Sequence, residues 1–256
     1  MRDVRLAPRI ALASVLAGGC ALAAPARADV TDRVTRTVAL SQGKPVRIDA
    51  TIADLTILGS NRPDMTIEII RHAPTQTELN RFTPVIDDTG DGVRITVVQD
   101  ADGREPRLKS DIVVHAPAGA VLQSVRVFEG RVRISGMTGA CDVDLRRGAI
   151  EAAGLSGRIR LETGIGSLDV RDSLLTPGGM MRLRVFNGPL RVRFARAPDN
   201  ARILAVTFNG TLTSDIPLTM KDRFGPRFGE TTLGSGDPVL SADVVKGDIA
   251  IGVERR

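Results

Sequence analysis

Four carboxylates are the residues best placed by type and spacing to do chemistry: Asp142, Asp144, Glu162 and Asp169. They lie in alternating segments, Cys141-Asp142-Val143-Asp144-Leu145, Arg160-Leu161-Glu162 and Leu168-Asp169-Val170. In a strand each acid therefore projects away from its aliphatic neighbours. Acids on the outer face of a parallel β-helix can bind calcium or cleave polysaccharides. Paired catalytic carboxylates, however, need environments that drive their pKa values apart. A regular outward ladder with arginine neighbours does not supply that. The residues favour a structural charge ladder and no catalytic site. A polysaccharide lyase or hydrolase using these outer-face acids is the alternative.

The other candidates reduce to structure in the same way. Asp87-Asp88-Thr89-Gly90-Asp91-Gly92 resembles the start of a calcium loop, but its twelfth position, which should be Glu, is Val98. A polar hairpin turn is expected there. His72 and His115 each close a strand before an Ala-Pro pair, and neither sits in a Cys/Asp cluster that would suggest a metal. Gly164-Ile165-Gly166 and Gly234-Ser235-Gly236 lack the spacing and the following helix of a phosphate loop. Asn209-Gly210-Thr211 matches a glycosylation sequon, which matters only in a eukaryotic secretory pathway. No metal and no cofactor is expected. Phe128, Phe186 and Phe208 each precede a glycine by two residues. They are expected to plug corners of the fold, with a sugar-binding aromatic strip as the other reading.

The elements that must position these residues begin after a leader. Arg2, Arg5 and Arg9 precede an apolar run from Ile10 to about Ala24, and Ala26-Arg27-Ala28 follows as a small-residue cleavage site. This is the layout of a secretory signal peptide, and the run is short for a membrane span. Cleavage after Ala28 would leave residues 29–256, exported to the periplasm or beyond. The alternative is lipid anchoring through Cys20, although Ala17 replaces the usual large aliphatic residue three before it. Residues 1–28 carry four Arg and one Asp, so +3 of the formal +5 leaves with the leader. With no Trp or Tyr and about +2 remaining, nucleic-acid binding has no support. Removal of Cys20 leaves Cys141 alone, as a small core residue. No second apolar stretch approaches the length of a transmembrane helix.

Short β-branched runs fill the first part of the mature chain: Val46 to Ile48, Ile52 to Leu58, Met65 to Ile70, Val93 to Val98 and Ile112 to His115, with one helical turn at Gln76 to Phe82. From about residue 120 the chain repeats. A glycine, one variable residue and an aliphatic residue open an alternating strand at Gly130, Gly148, Gly166, Gly188, Gly210 and Gly247, spaced by 18, 18, 22, 22 and 37 residues. Gly136-Met137-Thr138-Gly139 returns 18 residues later as Gly154-Leu155-Ser156-Gly157. A coil of this length holds two short strands but cannot bury its own apolar face, so coils must stack in parallel, about 4.8 Å apart. The register predicts an inner column of Val132, Ile150, Leu168, Leu190, Leu212 and Ile249. It predicts outer columns of Arg133, Glu151, Asp169 and Arg191, and of Arg126, Asp144, Glu162 and Arg184.

These phrases resemble the bacterial DUF4097 family, whose adhesin label rests on analogy. The match runs through Phe208-Asn209-Gly210-Thr211-Leu212-Thr213-Ser214-Asp215-Ile216-Pro217-Leu218, then Gly234-Ser235-Gly236, then Val245-Lys246-Gly247-Asp248-Ile249-Ala250-Ile251. Upstream, Ile112-Val113-Val114-His115-Ala116-Pro117-Ala118-Gly119 resembles its opening phrase, so the resemblance covers roughly residues 45–253. Gly148-Ala149 and Gly166-Ser167 depart from its usual Gly-Asp pair. The resemblance implies a β-solenoid-like fold in an exported or envelope protein, with no catalytic residues to carry over. The expectation is an all-β solenoid or roll after a leader at 1–28. Residues 29–256 would form one domain, less regular at 29–119 and regular at 120–253. It would act as a non-catalytic envelope module that binds a protein or a glycan.

Overall fold

The computed structural model describes residues 29–40, 43–99, 108–221 and 225–254. The leader expected at 1–28, with Cys20 and the Ala26-Arg27-Ala28 site, lies outside the described residues. Among those described, the chain is all-β except for one helix, and seventeen strands join in one sheet.

The centre of the sheet is built from long strands that each carry two apolar runs: β2 (Pro45–Ser60), β7 (Val121–Ser135), β8 (Cys141–Ala153) and β9 (Ile159–Ser173). In β8, Cys141, Val143 and Leu145 are buried, Arg146 and Arg147 are both exposed, and burial resumes at Ile150 and Ala152. Side chains alternate with period two, so one slip of phase changes which residues face inward. The slip recurs at the same place in each of these strands. The last inner residue of the first half precedes the first of the second half by five positions, as in Val127 to Val132, Leu145 to Ile150 and Thr163 to Leu168. Both halves thereby feed one continuous apolar core. Further along, two separate strands make the same division: β10 (Met180–Asn187) with β11 (Leu190–Phe194), β12 (Ala201–Asn209) with β13 (Leu212–Ser214), and β16 (Val239–Lys246) with β17 (Ile249–Val253).

Equivalent halves pair in parallel, and the inner column expected from the glycines is present. Leu55, Val132, Ile150, Leu168, Leu190, Ile249 and Leu212 are successive register partners. All are buried except Leu212, which is half-buried. Glycine marks the phase slip because no side chain fits there. Gly148 and Gly166 have φ of +135° and +142°, and a Cβ on either would be driven into the carbonyl oxygen of the glycine on the preceding strand.

The order of the stack differs from the order of the chain. β17 lies between β11 and β13, and β16 lies between β10 and β12. The last two strands are inserted rather than added at the end, so Gly247 follows Gly188 and Gly210 comes last. The 37-residue spacing accommodates β14 (Thr219–Lys221) and β15 (Arg227–Leu233), which pair antiparallel beyond β12.

The earlier segment joins the same ladders. On its other edge, β2 pairs in parallel with β5 (Gly92–Val97) through its first half and with β6 (Lys109–Pro117) through its second. Ala53 takes the glycine's place opposite Gly130, with its methyl group buried. Antiparallel strands then close this end: β4 (Val85–Thr89) on β5, β3 (Asp64–Ala73) on β6 and β1 (Val30–Ala39) on β3. Such caps turn the open edge of a parallel stack away from further pairing. The helical turn is α1 (Gln76–Arg81), capped by Thr75, whose hydroxyl accepts from the Glu78 N–H at 3.2 Å. Arg71 ties α1 to the sheet, binding Asp32 and donating to the carbonyls of Leu79 and Phe82.

Candidate functional site

The four candidate carboxylates do not form one site. Asp144 and Glu162 are register partners on the first-half ladder, with Arg126 and Arg184 on either side of them in the column. Asp142 lies on the same outer face. Asp169 lies in the second half of β9, in the column of Arg133, Glu151 and Arg191. Three of the four acids are engaged by arginines opposite, diagonal to or two residues along the strand from them. Arg160 reaches Asp142 at 3.4 Å and Glu162 at 3.2 Å, while Asp169 meets Arg171 at 3.5 Å and Arg193 at 3.4 Å. Glu151 binds Arg131 at 3.4 Å and Arg133 at 3.3 Å. Each such exposed pair contributes little to stability, about 0–1 kcal/mol, but together they satisfy the face.

Other candidates take structural places. The Asp87–Gly92 segment is the hairpin between β4 and β5, with Thr89 opposite Gly92. His72 is half-buried, with Nε2 at 3.1 Å from Asp111 Oδ2 and Nδ1 at 3.4 Å from the Thr31 hydroxyl. His115 is exposed, 5 positions along the register from Ser110. Cys141 is buried, and burial, assisted by the charge of Asp142, pushes its thiol up to about 12. The Thr211 hydroxyl and N–H of the Asn209-Gly210-Thr211 segment both reach Asp248 Oδ1 at 2.7 Å. These two bonds hold the Asp248 carboxyl below its usual range. Among the described residues, no group of three or more His, Cys, Asp or Glu could hold a metal ion. No helix among them is long and apolar enough to cross a membrane.

The phenylalanines do not plug corners. Phe128, Phe186 and Phe208 are 47%, 62% and 62% exposed. They share one outward position, two before the glycine, with Arg146, Gly164 and Val245 on neighbouring strands. The phase slip explains this. The residue before each Phe is the last inner one, so Phe falls outward. The three do not form a continuous strip either. Arg146 and Gly164 separate Phe128 from Phe186, and Val245 stands between Phe186 and Phe208.

Beside this column runs a groove that the glycine pattern did not suggest. It has a volume of about 610 Å³ and crosses five neighbouring strands. Gly130, Gly148, Gly166 and Gly188 form its floor, with the small Ala149 and Ser167 following two of them. Ile165 and Asn187 stand on one side, and Asp54 and Arg131 lie at one end. The glycines required by strand stacking thus also leave a furrow along the stack. Five strands at about 4.8 Å spacing give it a length of about 19 Å. Arg131 donates its backbone N–H to Asp54 at 3.1 Å, and Lys109 binds the other oxygen at 2.8 Å. Burial pushes the Asp54 carboxyl up, but the Lys109 hydrogen bond and charge, with the Arg131 N–H, outweigh it and hold Asp54 below its usual range.

The fold has a solved counterpart. A provisionally named cell adhesion protein from Clostridium sporogenes superposes with a TM-score of 0.52 at 11% identity, covering 88% of this chain and 100% of that one. A provisionally named adhesin from Bacteroides fragilis covers 87% of this chain and 97% of its own at 10% identity, with a TM-score of 0.36. Only the first superposes well enough to define a common fold, and at this identity the likeness is of fold alone. No family model matches the chain, and no curated protein matches its sequence.

Proposed function

We propose that the chain is an exported, non-catalytic β-repeat protein of the bacterial cell envelope, of the DUF4097 kind, and works as an adhesin-like binding or structural module. Residues 1–28 are read as a cleaved leader and residues 29–256 as one solenoid-like domain, released without a lipid at Cys20. The observation that carries the reading is the glycine-floored groove beside a face where Arg160 already binds Asp142 and Glu162. A straight furrow with little side-chain relief suits an extended polymer lying along the stack. Such a polymer is a segment of an envelope protein or a glycan strand. The scattered, arginine-bound carboxylates support a scaffold rather than an acid–base pair.

The test fills the furrow. Tagged protein is crosslinked in its own cells, the cells are fractionated, and bound protein and glycan are identified for the unchanged chain and for Ala149→Trp and Ser167→Trp. A partner captured by the unchanged chain and lost from both variants, with their melting unaltered, is the expected result. Capture that ignores the filled groove would reject it. A glycan-cleaving activity that disappears in a folded Asp142→Ala, Asp144→Ala, Glu162→Ala variant would overturn the non-catalytic reading. Mass spectrometry of the accumulated protein should find Asp29 at its N-terminus, and an acylated Cys20 would contradict release.

A further inference from the structure

The first-half ladder changes character along its length. On β8 and β9 its outer face carries the Asp142, Arg160 and Glu162 network. On β10, β16 and β12 that network ends, and an apolar row and flank stand beside the outward Arg182, Arg184, Ser241 and Asp243. Burial of Leu183 and Val185, of Ala242 and Val244, and of Ile203, Ala205 and Thr207 sends the alternate residues to the opposite side. Phe186, Val245 and Phe208 form one row across three adjacent strands, and Val206 and Leu204 continue the patch along β12. Phe186 and Phe208 are the most exposed large apolar residues among those described.

Around this patch stand Arg182, Arg184, Arg202 and Lys246, all exposed. Arg182 and Arg184 are register partners of Ser241 and Asp243 on β16, Arg202 of Val239, and Lys246 of both Asn187 and Asn209. None of the four cations makes an ion pair among the described residues, in contrast to Arg147 of β8 and to Arg160 and Arg171 of β9. Three acids lie nearby: Glu162, the register partner of Arg184 on β9, is bound by Arg160 at 3.2 Å. Asp243 accepts from the Ser241 hydroxyl at 3.2 Å, and Glu230 is bound by Lys221 at 2.5 Å. The patch is thus aromatic at its centre and cationic at its margin.

We propose that this face docks on an anionic lipid bilayer. A surface that places apolar side chains at the headgroup boundary and unpaired cations around them gains from both burial and charge. Phe has no hydrogen-bonding group to orient a sugar, which disfavours a glycan here. A second copy is disfavoured because a two-fold contact would bring two margins of like charge together. The face borders one end of the glycine-floored groove at Asn187 but shares no lining residue with it, so this inference does not depend on what the groove holds.

Cosedimentation with vesicles tests it, using the protein in the form its cells accumulate. The vesicles are phosphatidylcholine alone, or phosphatidylcholine with phosphatidylglycerol. The chain should sediment with the anionic vesicles, not with the neutral ones, and should be released as salt rises. Phe186→Ser with Phe208→Ser should lower partitioning by about tenfold or more. Replacing Arg182 and Arg184 by Gln should lower it by about fivefold for each charge. Any contribution from residues 1–28 is common to all variants, so a difference between them reports on the sheet face. Equal binding by the Phe variant, or no binding to anionic vesicles, would overturn the proposal. Retention on polyaspartate without vesicle binding would do the same and assign the face to an acidic protein. Unchanged melting of the variants keeps either outcome interpretable.

Discussion

At the scale of single residues, the glycine of each coil is constrained by its neighbour on the next strand rather than by a turn. Gly166 combines a φ of +142° with a Cβ position blocked by the Gly148 backbone, which has nowhere to move. Gly166→Ala should therefore cost about 2–5 kcal/mol, from backbone strain and overpacking together. Gly90→Ala is the matched control, because a Cβ there meets nothing within 4 Å and its φ is not left-handed. Its cost should stay below about 1 kcal/mol. Urea denaturation of the two purified variants measures the difference, and equal costs would contradict a packing role for the glycine column. Cys141 gives a second residue-scale expectation. Its buried thiol, pushed up to about 12, should resist a maleimide at pH 8 in the folded chain and react fully in denaturant.

At the scale of elements, Asp54 clamps three adjacent strands, taking Lys109 of β6 and the Arg131 N–H of β7 onto its own place on β2. A carboxyl held below its usual range stabilises the fold only while ionised. The stability difference between the unchanged chain and Asp54→Asn should be fully present above the ordinary carboxylate range, about pH 4. It should shrink as pH falls through the lowered folded value. The pair is largely solvated, so the difference at pH 7 should be at most ~1 kcal/mol. Thermal melts of both proteins from pH 7 to pH 3 would show it, and a gap that widens in acid would refute the clamp. The parallel register from β7 onward was legible because each repeat carries it locally as a glycine, a spacer and an inner aliphatic residue. The coil of β2 escaped the pattern because Ala53 replaces the glycine. β1 escaped because a polar edge strand, rich in Thr and Arg, shows little apolar alternation. The outward turn of Phe186 and Phe208 could have been read from Arg146 and Gly164, which hold the same place on neighbouring strands. An inner column would not accept that arginine. The groove was not legible because each glycine taken singly marks only a strand start, and the absence of relief on the outer surface emerges only when the strands lie side by side.

At the scale of the whole molecule, the decisive feature is the inserted last coil. Nothing local encodes it: the 37-residue interval says that something intervenes between Gly210 and Gly247, not where the final strands go. Their place follows from edges. Until β16 and β17 arrive, β10 and β11 have one unpaired side and β12 and β13 have no parallel neighbour. Inserting the last coil satisfies four strand edges at once and buries Leu240, Ala242, Val244, Ile249 and Ile251. The Thr211 to Asp248 bonds then tie β13's coil to it. A chain ending at Pro238 should therefore lose far more than its C-terminal strands. The segment from Ala201 to Leu233 would keep its antiparallel pairing of β12 with β15 but have no parallel strand to dock on, and β10 and β11 would present open edges. Such a chain should lose its cooperative melt and aggregate, as read by calorimetry and size-exclusion chromatography. Adding residues 239–256 as a separate peptide should restore part of the transition by filling the vacant place. A truncated chain that stays monomeric, with only a slightly lowered melting point, would mean that the stack from β2 to β11 is self-sufficient and that the insertion merely decorates its end.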